Sequence, residues 1–168
     1  MKKFKNLFIS FEGPEASGKS SQIKLLSKFL KLKKIPHFVT REPGGTKIAE
    51  ILRKLILDQR SNISSIEEIL MLMAARYNHI NKVILPNLKK GKIVISDRFA
   101  DSTFVYQGYV QKYGIDFTKK LHKQLLNNFL PKKTFLFNLH PDEIINRLKK
   151  RSKKNKYDIL DIKFHKSV

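Results

Sequence analysis

A chain of 168 residues with 41% hydrophobic composition has room for one compact domain, and its 29% charged residues exclude a fibrous or low-complexity chain. No apolar run approaches the roughly 18 residues of a membrane span, and a chain without cysteine has no disulfide, zinc finger or thiol nucleophile. The formal charge is +21, but 28 of the 35 basic residues are lysine, in a chain rich in Phe, Tyr, Met, Ile and Asn, the skew that AT-rich coding produces.

Leu7-Phe8-Ile9-Ser10-Phe11 is a short apolar run that turns at Gly13 and predicts a buried parallel strand. Glu12 interrupts it and no small-residue cleavage site follows, so no secretory leader is expected. From Lys19 to Leu32 apolar residues recur at helical spacing. Pro36 to Val39 predicts a second strand. Helices are expected over about Thr46–Leu57 and Ser65–Leu88, the second with Ser64, Ser65, Glu67 and Glu68 as capping residues. Lys92–Ser96 predicts a third, buried strand. Helices over about Asp101–Gln111 and Phe117–Asn128 follow, then a fourth strand at Lys133–Leu139 and a helix opened by Pro141. Arg147–Lys156 holds seven basic residues in ten and is expected to be exposed, and the last residues to Val168 have helical character. Strands separated by helices predict an α/β fold with a parallel sheet.

Gly13-Pro14-Glu15-Ala16-Ser17-Gly18-Lys19-Ser20 fits G-x-x-x-x-G-K-[ST] at every fixed position, between an apolar strand and an amphipathic helix. Glycines let such a loop wrap until backbone N–H groups face phosphate oxygens, and the following helix adds its N-terminal dipole. Lys19 is expected to reach the β- and γ-phosphates, and the Ser20 hydroxyl to ligate Mg²⁺. The loop alone does not separate a GTPase, a motor ATPase and a small-molecule kinase. Asn155-Lys156-Tyr157-Asp158 has the base-reading Asn-Lys-x-Asp pattern of a switch GTPase. It lies in the basic stretch, not after a buried strand, and is read as coincidence. The apolar strand at residue 92 ends in Asp97-Arg98 rather than in the Asp-Glu of a motor. An acid and an arginine at a strand's C-terminal end suit an enzyme holding two anionic substrates across the sheet crevice.

Four further segments define an acceptor site: Thr40-Arg41-Glu42-Pro43-Gly44-Gly45-Thr46, Ala74-Ala75-Arg76, Asp97-Arg98-Phe99, and Ser102-Thr103 followed by Tyr106-Gln107-Gly108. Together with the glycine loop, and in this order, they resemble the bacterial thymidylate kinase family over essentially the whole chain. The resemblance implies a single P-loop kinase domain over residues 1–168, a three-layer α/β/α P-loop NTPase with a parallel central sheet. It implies phosphoryl transfer from ATP to dTMP, giving dTDP and ADP, with Mg²⁺. It further implies a homodimer through the long helices, while the lack of cysteine and of a long apolar run makes a cytoplasmic, non-membrane location the expectation.

Residue by residue, Gly13, Pro14, Glu15, Ala16, Ser17, Gly18, Lys19 and Ser20 are the ATP-binding candidates. Arg98 would clamp the dTMP phosphate bidentately, with Asp97 orienting it or a magnesium-bound water, so that Ser20 and Asp97 are the metal candidates. Arg76 would hydrogen-bond thymine. Arg41, Glu42, Pro43, Leu72, Ser102, Thr103, Tyr106 and Gln107 complete the acceptor pocket by resemblance. Thr103 matches a position that helps read the base, and Leu72 one where relatives commonly carry a stacking Phe. Tyr106 would lie where a ribose 2′-hydroxyl would sit, and Glu42-Pro43 resembles a cis turn. Glu15 matches an acidic position expected to position a lysine or the acceptor phosphate.

One branch of the family carries a loop arginine at the position of Ala16, whereas the other supplies it from a lid. Arg151, with Arg147 supporting, matches the lid type, with a lid segment at about 147–158, where Lys150 or Lys153 could share the role. Asn138 and Ile159 depart from the family pattern, and the C-terminus is short relative to the family. The alternative is therefore a truncated, catalytically impaired nucleotide-binding remnant with a basic nucleic-acid-binding surface. The basic run lacks the interleaved aromatics of such readers before Tyr157, which makes nucleic acid the weaker expectation.

Overall fold

Side-chain alternation builds the sheet. Along β1 (Phe8–Glu12) and β3 (Ile93–Asp97), Phe8 and Val94 point into one apolar layer, whereas Ile9, Phe11, Ile93 and Ile95 point into another. The computed structural model describes residues 6–152, 155–160 and 162–168. All four strands are parallel, in the order β2-β3-β1-β4, with β2 at His37–Arg41 and β4 at Lys133–Leu136. β1 and β3 are central and buried, as continuous apolar runs require, and the outer strands are largely exposed.

On one face, α1 (Lys19–Leu32) lays Ile23, Leu26 and Leu30 against Ile9, Phe11 and Ile95. On the other, α3 (Ser65–His79) contributes Ile69 and Met73, joined by Ile80, Ile84, Phe99, Phe104 and Leu126. Each fully buried side chain of this size stabilises the fold by about 1.5–3 kcal/mol relative to exposure. Helix starts follow local chemistry. The Thr46 hydroxyl accepts from the Ala49 amide to cap α2 (Lys47–Leu57), and Ser64 and Glu67 form a reciprocal capping box on α3.

The helix expected over Ser65–Leu88 is interrupted. After α3 comes a π turn at Ile80–Ile84, then α4 (Leu85–Lys89). Pro86 lacks the N–H an unbroken helix needs and its ring would press on the carbonyl four residues back, so the wider turn accommodates it. Likewise α5 is only Ala100–Thr103 and continues as a π turn over Phe104–Val110, which buries the consecutive residues Tyr106 and Gln107 together. α6 follows at Ile115–Leu126, then α7 at Pro141–Lys149 and α8 at Ile162–Ser167. β4 stops at Leu136 rather than Leu139 because its one partner, β1, ends there: Glu12 faces Leu136, and the Phe137 amide makes the last bond to Glu12 before Gly13 turns away.

Candidate active site

A cavity of about 530 Å³ opens at the C-terminal ends of β1, β2 and β3, within the range of nucleotide and cofactor sites. The loop from β1 to α1 forms one wall. Gly13 begins it with φ 137°, a conformation and a spacing only glycine fits, because a Cβ would meet the Phe137 carbonyl oxygen at 2.5 Å. Lys19 is buried and its Nζ donates to the Gly13 and Pro14 carbonyls at 2.9 and 2.6 Å and to Ser17 Oγ at 3.2 Å. Burial, then the nearby Arg98 guanidinium, lowers its pKa to about 8, against the opposing pull of Asp97, Glu15 and Glu12. Ser20 Oγ donates to Asp97 Oδ2 at 2.6 Å. This hydroxyl and carboxylate are the hard oxygen donors Mg²⁺ takes beside substrate phosphates. Among the described residues no cluster of three His, Cys, Asp or Glu offers another metal site.

The facing wall is an arginine–carboxylate array. Arg98 has φ 70°, a left-handed conformation uncommon outside glycine, at the end of β3. Its guanidinium donates to Ser102 Oγ at 3.0 Å, Glu15 Oε1 at 2.9 Å and Tyr106 Oη at 3.3 Å, and it lies over the Tyr106 ring. Burial opposes its charge, but Tyr106 and the carboxylates of Glu15, Glu12 and Asp97 more than offset that and raise its pKa. Tyr106 Oη donates to Glu15 Oε2 at 2.6 Å. Thus Glu15, not Asp97, orients Arg98, and Glu15 does not touch Lys19. Geometry explains both: Asp97 faces Ser20, and Lys19 is folded onto loop carbonyls. Glu12, buried beneath Arg98, accepts from the Phe99 amide and Ser102 Oγ, each at 2.6 Å, and burial raises its pKa to about 7.

Deeper in, Arg76 on α3 donates through Nε to Glu42 Oε2 at 2.6 Å and through Nη2 to the Phe99 carbonyl and Thr103 Oγ1 at 3.1 and 2.8 Å. Its Nη1 is buried without a partner among the described residues. Glu42 also takes His79 Nδ1 at 2.8 Å, while His79 Nε2 meets Thr40 Oγ1 at 2.7 Å. Burial alone would raise the Glu42 pKa, but Arg76 and His79 hold it below its usual value. The Glu42–Pro43 peptide is cis. Gly45, at φ 84°, packs where a Cβ would sit 2.7 Å from both His79 and Thr40. Leu72, Ser102, Thr103 and Gln107 line the same cavity.

At the outer rim Arg147, Lys149, Lys150 and Arg151 are exposed, as expected of the basic run, whereas Lys156 is half-buried. Arg147, Lys150, Arg151 and Asn155 line the cavity mouth. Arg147 bonds Glu143 and the Ala16 carbonyl, and Arg151 pairs with Asp158 at 2.9 Å. Lys156 and Tyr157 reach buried Glu68, so Asn155–Asp158 is neither solvated nor a base-reading motif. A carboxylate inside the wall draws these residues in. Lys153 lies outside the described residues. Arg41 pairs with Glu50 at 3.0 Å, half exposed, at the cavity edge.

Sequence reasoning missed Arg53, Glu12, Glu68, His79 and Tyr157. Arg53 lines the cavity and donates to the Pro43 carbonyl at 2.7 Å. Its rarity as an arginine in a lysine-rich chain was the available signal. Glu68 and His79 were legible as spacing, because 68, 72, 76 and 79 share one face of a helix.

A phosphate-cradling loop that shares one cavity with a buried array of arginines and carboxylates defines a P-loop kinase acting on a second phosphorylated substrate. The family model of thymidylate kinases matches residues 11–168. Thymidylate kinases of Rickettsia africae and Rickettsia typhi are 43% and 44% identical over 161 residues, 96% of this chain and 78% of each relative. A crystal structure of thymidylate kinase from Ehrlichia chaffeensis superposes with a TM-score of 0.70 at 38% identity, over 79% of this chain and 74% of that one. The chain belongs to the thymidylate kinase family, whose members are ATP-dependent nucleoside monophosphate kinases.

Proposed function

We propose that this chain moves the γ-phosphoryl of ATP onto dTMP, giving ADP and dTDP, with the residues of the one cavity in the following roles. The observation that carries the reading is that triphosphate loop and acceptor array face each other across that cavity. A nucleoside monophosphate is already mostly ionised at neutral pH, with a second pKa of about 6, so its oxygen needs no general base to attack. The work left is positioning and neutralising charge. Lys19 leaves its loop carbonyls for the β- and γ-phosphates. Arg98, oriented by Glu15, Ser102 and Tyr106, holds the acceptor phosphate. Arg147 and Arg151, on a lid of about 147–158, bring further positive charge to the transferring group. Ser20 and Asp97 would hold Mg²⁺, which screens charge on the β- and γ-oxygens when bound.

Base choice follows from donors and acceptors. Thymine presents an O4 acceptor beside an N3–H donor. Arg76 offers the unpartnered Nη1, and Gln107, with its Nε2 engaged by Glu68 and Tyr157, offers its carbonyl oxygen. Cytosine reverses both groups and meets like against like. Tyr106 fills the space of a ribose 2′-hydroxyl, and Leu72 gives the base an apolar wall. Exposed Ile48, Ile51 and Leu55 on α2 and Leu70 and Tyr77 on α3 supply an apolar surface for a homodimer through the long helices. An ATP-consuming, cysteine-free chain suits the cytoplasm. No helix among the described residues is long and apolar enough to cross a membrane.

ADP release from ATP tests the assignment. dTMP should stimulate it well above dUMP, and AMP or CMP hardly at all. Equal stimulation by AMP overturns the acceptor.

A further inference from the structure

His79 closes a buried chain of polar side chains behind the base end of the cavity. It lies on α3 one turn beyond Arg76, fully buried and set back from the cavity that Arg76 and Glu42 line. Its Nδ1 is 2.8 Å from Glu42 Oε1 and its Nε2 is 2.7 Å from Thr40 Oγ1. Glu42 Oε2 takes Arg76 Nε at 2.6 Å. The chain therefore runs Thr40, His79, Glu42, Arg76, and ends on a guanidinium in the cavity wall. Burial works against the charge of Glu42, but Arg76 and His79 hold its pKa below the usual value. The carboxylate thus only accepts, and His79 Nδ1 carries the proton between them. The Thr40 hydroxyl can donate to Nε2 or accept from it, and completes the bonding of the ring in either case. Gly45 shuts the other edge, since a Cβ there would sit 2.7 Å from His79 Cδ2 and Nε2, and the ring has one seat.

We infer that His79 is a positioning residue for base recognition: by holding Glu42 Oε1 it keeps the carboxylate on a single nitrogen of Arg76 and so sets where the partnerless Nη1 points. The inference rests on the proposed kinase reading. An arginine and a carboxylate free to choose often pair through two parallel hydrogen bonds. Here that pairing would put Nε and Nη2 of Arg76 on the two oxygens of Glu42. Instead Nη2 donates to the Phe99 carbonyl at 3.1 Å and to Thr103 Oγ1 at 2.8 Å, and His79 occupies the second carboxylate oxygen. The guanidinium is planar, so seating Nε and Nη2 on separate acceptors fixes the direction of Nη1 as well. That nitrogen is buried without a partner among the described residues, and it is the donor offered to thymine O4. Without the His79 donor, Oε1 is a buried acceptor left unsatisfied, and the carboxylate is stabilised by turning onto Nη2. The turn draws the guanidinium away from Thr103 and swings Nη1 off the base.

The test is steady-state ADP release, with dTMP and ATP each varied at saturation of the other, in three variants. In His79→Asn the carboxamide nitrogen takes the place of Nδ1 and still donates to Glu42. In His79→Gln it takes the place of Nε2 and reaches Thr40 instead, and His79→Leu has neither donor. Complete loss of a charge-assisted hydrogen bond costs roughly ten- to hundredfold, and here Nη1 is re-aimed, not removed. KM for dTMP should therefore rise at least about fivefold in His79→Gln and His79→Leu. kcat should stay within about twofold and KM for ATP should hold, because the base contact is made equally in the ground and transition states. His79→Asn should stay within about twofold of wild type for both substrates. His79→Gln and His79→Leu reach the same loss independently, so one that fails to fold leaves the other. A folded His79→Gln or His79→Leu with the wild-type KM for dTMP, or a His79→Asn as impaired as they are, overturns the inference. So does equal loss of ATP and dTMP, the mark of a merely structural residue. A wild type whose ADP release dTMP does not stimulate overturns the kinase reading instead.

Discussion

Replacing Arg76 with lysine tests the role proposed for its guanidinium at the base. Alanine there would leave buried Glu42 without its arginine, at about 3–5 kcal/mol. Lysine avoids that cost, because an ammonium still reaches Glu42. A single Nζ cannot also serve the Phe99 carbonyl, Thr103 Oγ1 and a base oxygen, as the planar fork does. The group that disappears is the partnerless Nη1 donor. A hydrogen bond from a charged donor is worth about 1.5–3 kcal/mol. Hence kcat/KM for dTMP should fall roughly ten- to hundredfold while that for ATP holds. The preference for dTMP over dCMP should shrink by a similar factor. Steady-state ADP release, with each substrate varied at saturation of the other, measures both, and thermal unfolding checks the fold. A folded Arg76→Lys that keeps wild-type dTMP kinetics and pyrimidine preference, or that loses ATP and dTMP alike, refutes the reasoning.

Two pH effects follow from buried groups. Lys19 titrates at about 8 because burial and Arg98 disfavour its charge, and only the ammonium can meet triphosphate oxygens. So kcat/KM for ATP should be level below pH 8 and fall about tenfold per unit above it; a level profile from pH 7 to 10 contradicts this. Glu12 is the opposite case, a carboxyl raised from 4.5 to about 7 by burial. Between those values the native state holds a proton that the unfolded chain releases. This contribution is full below about pH 4.5 and lost as pH rises through 7, about 3 kcal/mol in all. Denaturant unfolding of wild type against Glu12→Gln at pH 5 and pH 8 measures it, and a difference independent of pH would rule it out.

The parallel sheet was legible because β1 and β3 are apolar runs that only a sheet covered on both faces can bury, and the loop because its glycines and lysine have fixed spacing. The strand lengths were not, since β4 stops where β1 turns away, a limit set by the partner and not by its own Phe and Leu residues. The π turns were equally hidden, because periodicity across Ile80–Ile84 and Phe104–Val110 looks like ordinary helix. Within the site, motifs named the residues but not their partners. Glu15 holding Arg98 across 83 positions, or Glu68 holding Tyr157 across 89, is a tertiary fact with no local signal. The resemblance supplied roles; only the packing showed which carboxylate serves which arginine.

Cation choice sharpens what the high positive charge means. Six of the seven arginines line the cavity: Arg41, Arg53, Arg76, Arg98, Arg147 and Arg151. Arg60 is the exception, an exposed partner of Asp58. Among the described residues Lys19 and Lys150 are the lysines that reach it, although lysine is four times as common in the chain. Net charge alone would therefore point to the wrong surface. In a composition that substitutes lysine wherever a point charge suffices, arginine is held where one guanidinium must satisfy several acceptors in a plane. Arg76 does so with a carboxylate, a carbonyl and a hydroxyl, and Arg98 with a carboxylate and two hydroxyls. A lysine background supplies long-range attraction for anions, while on the proposed reading the arginines set where the phosphates and base of the nucleotides come to rest.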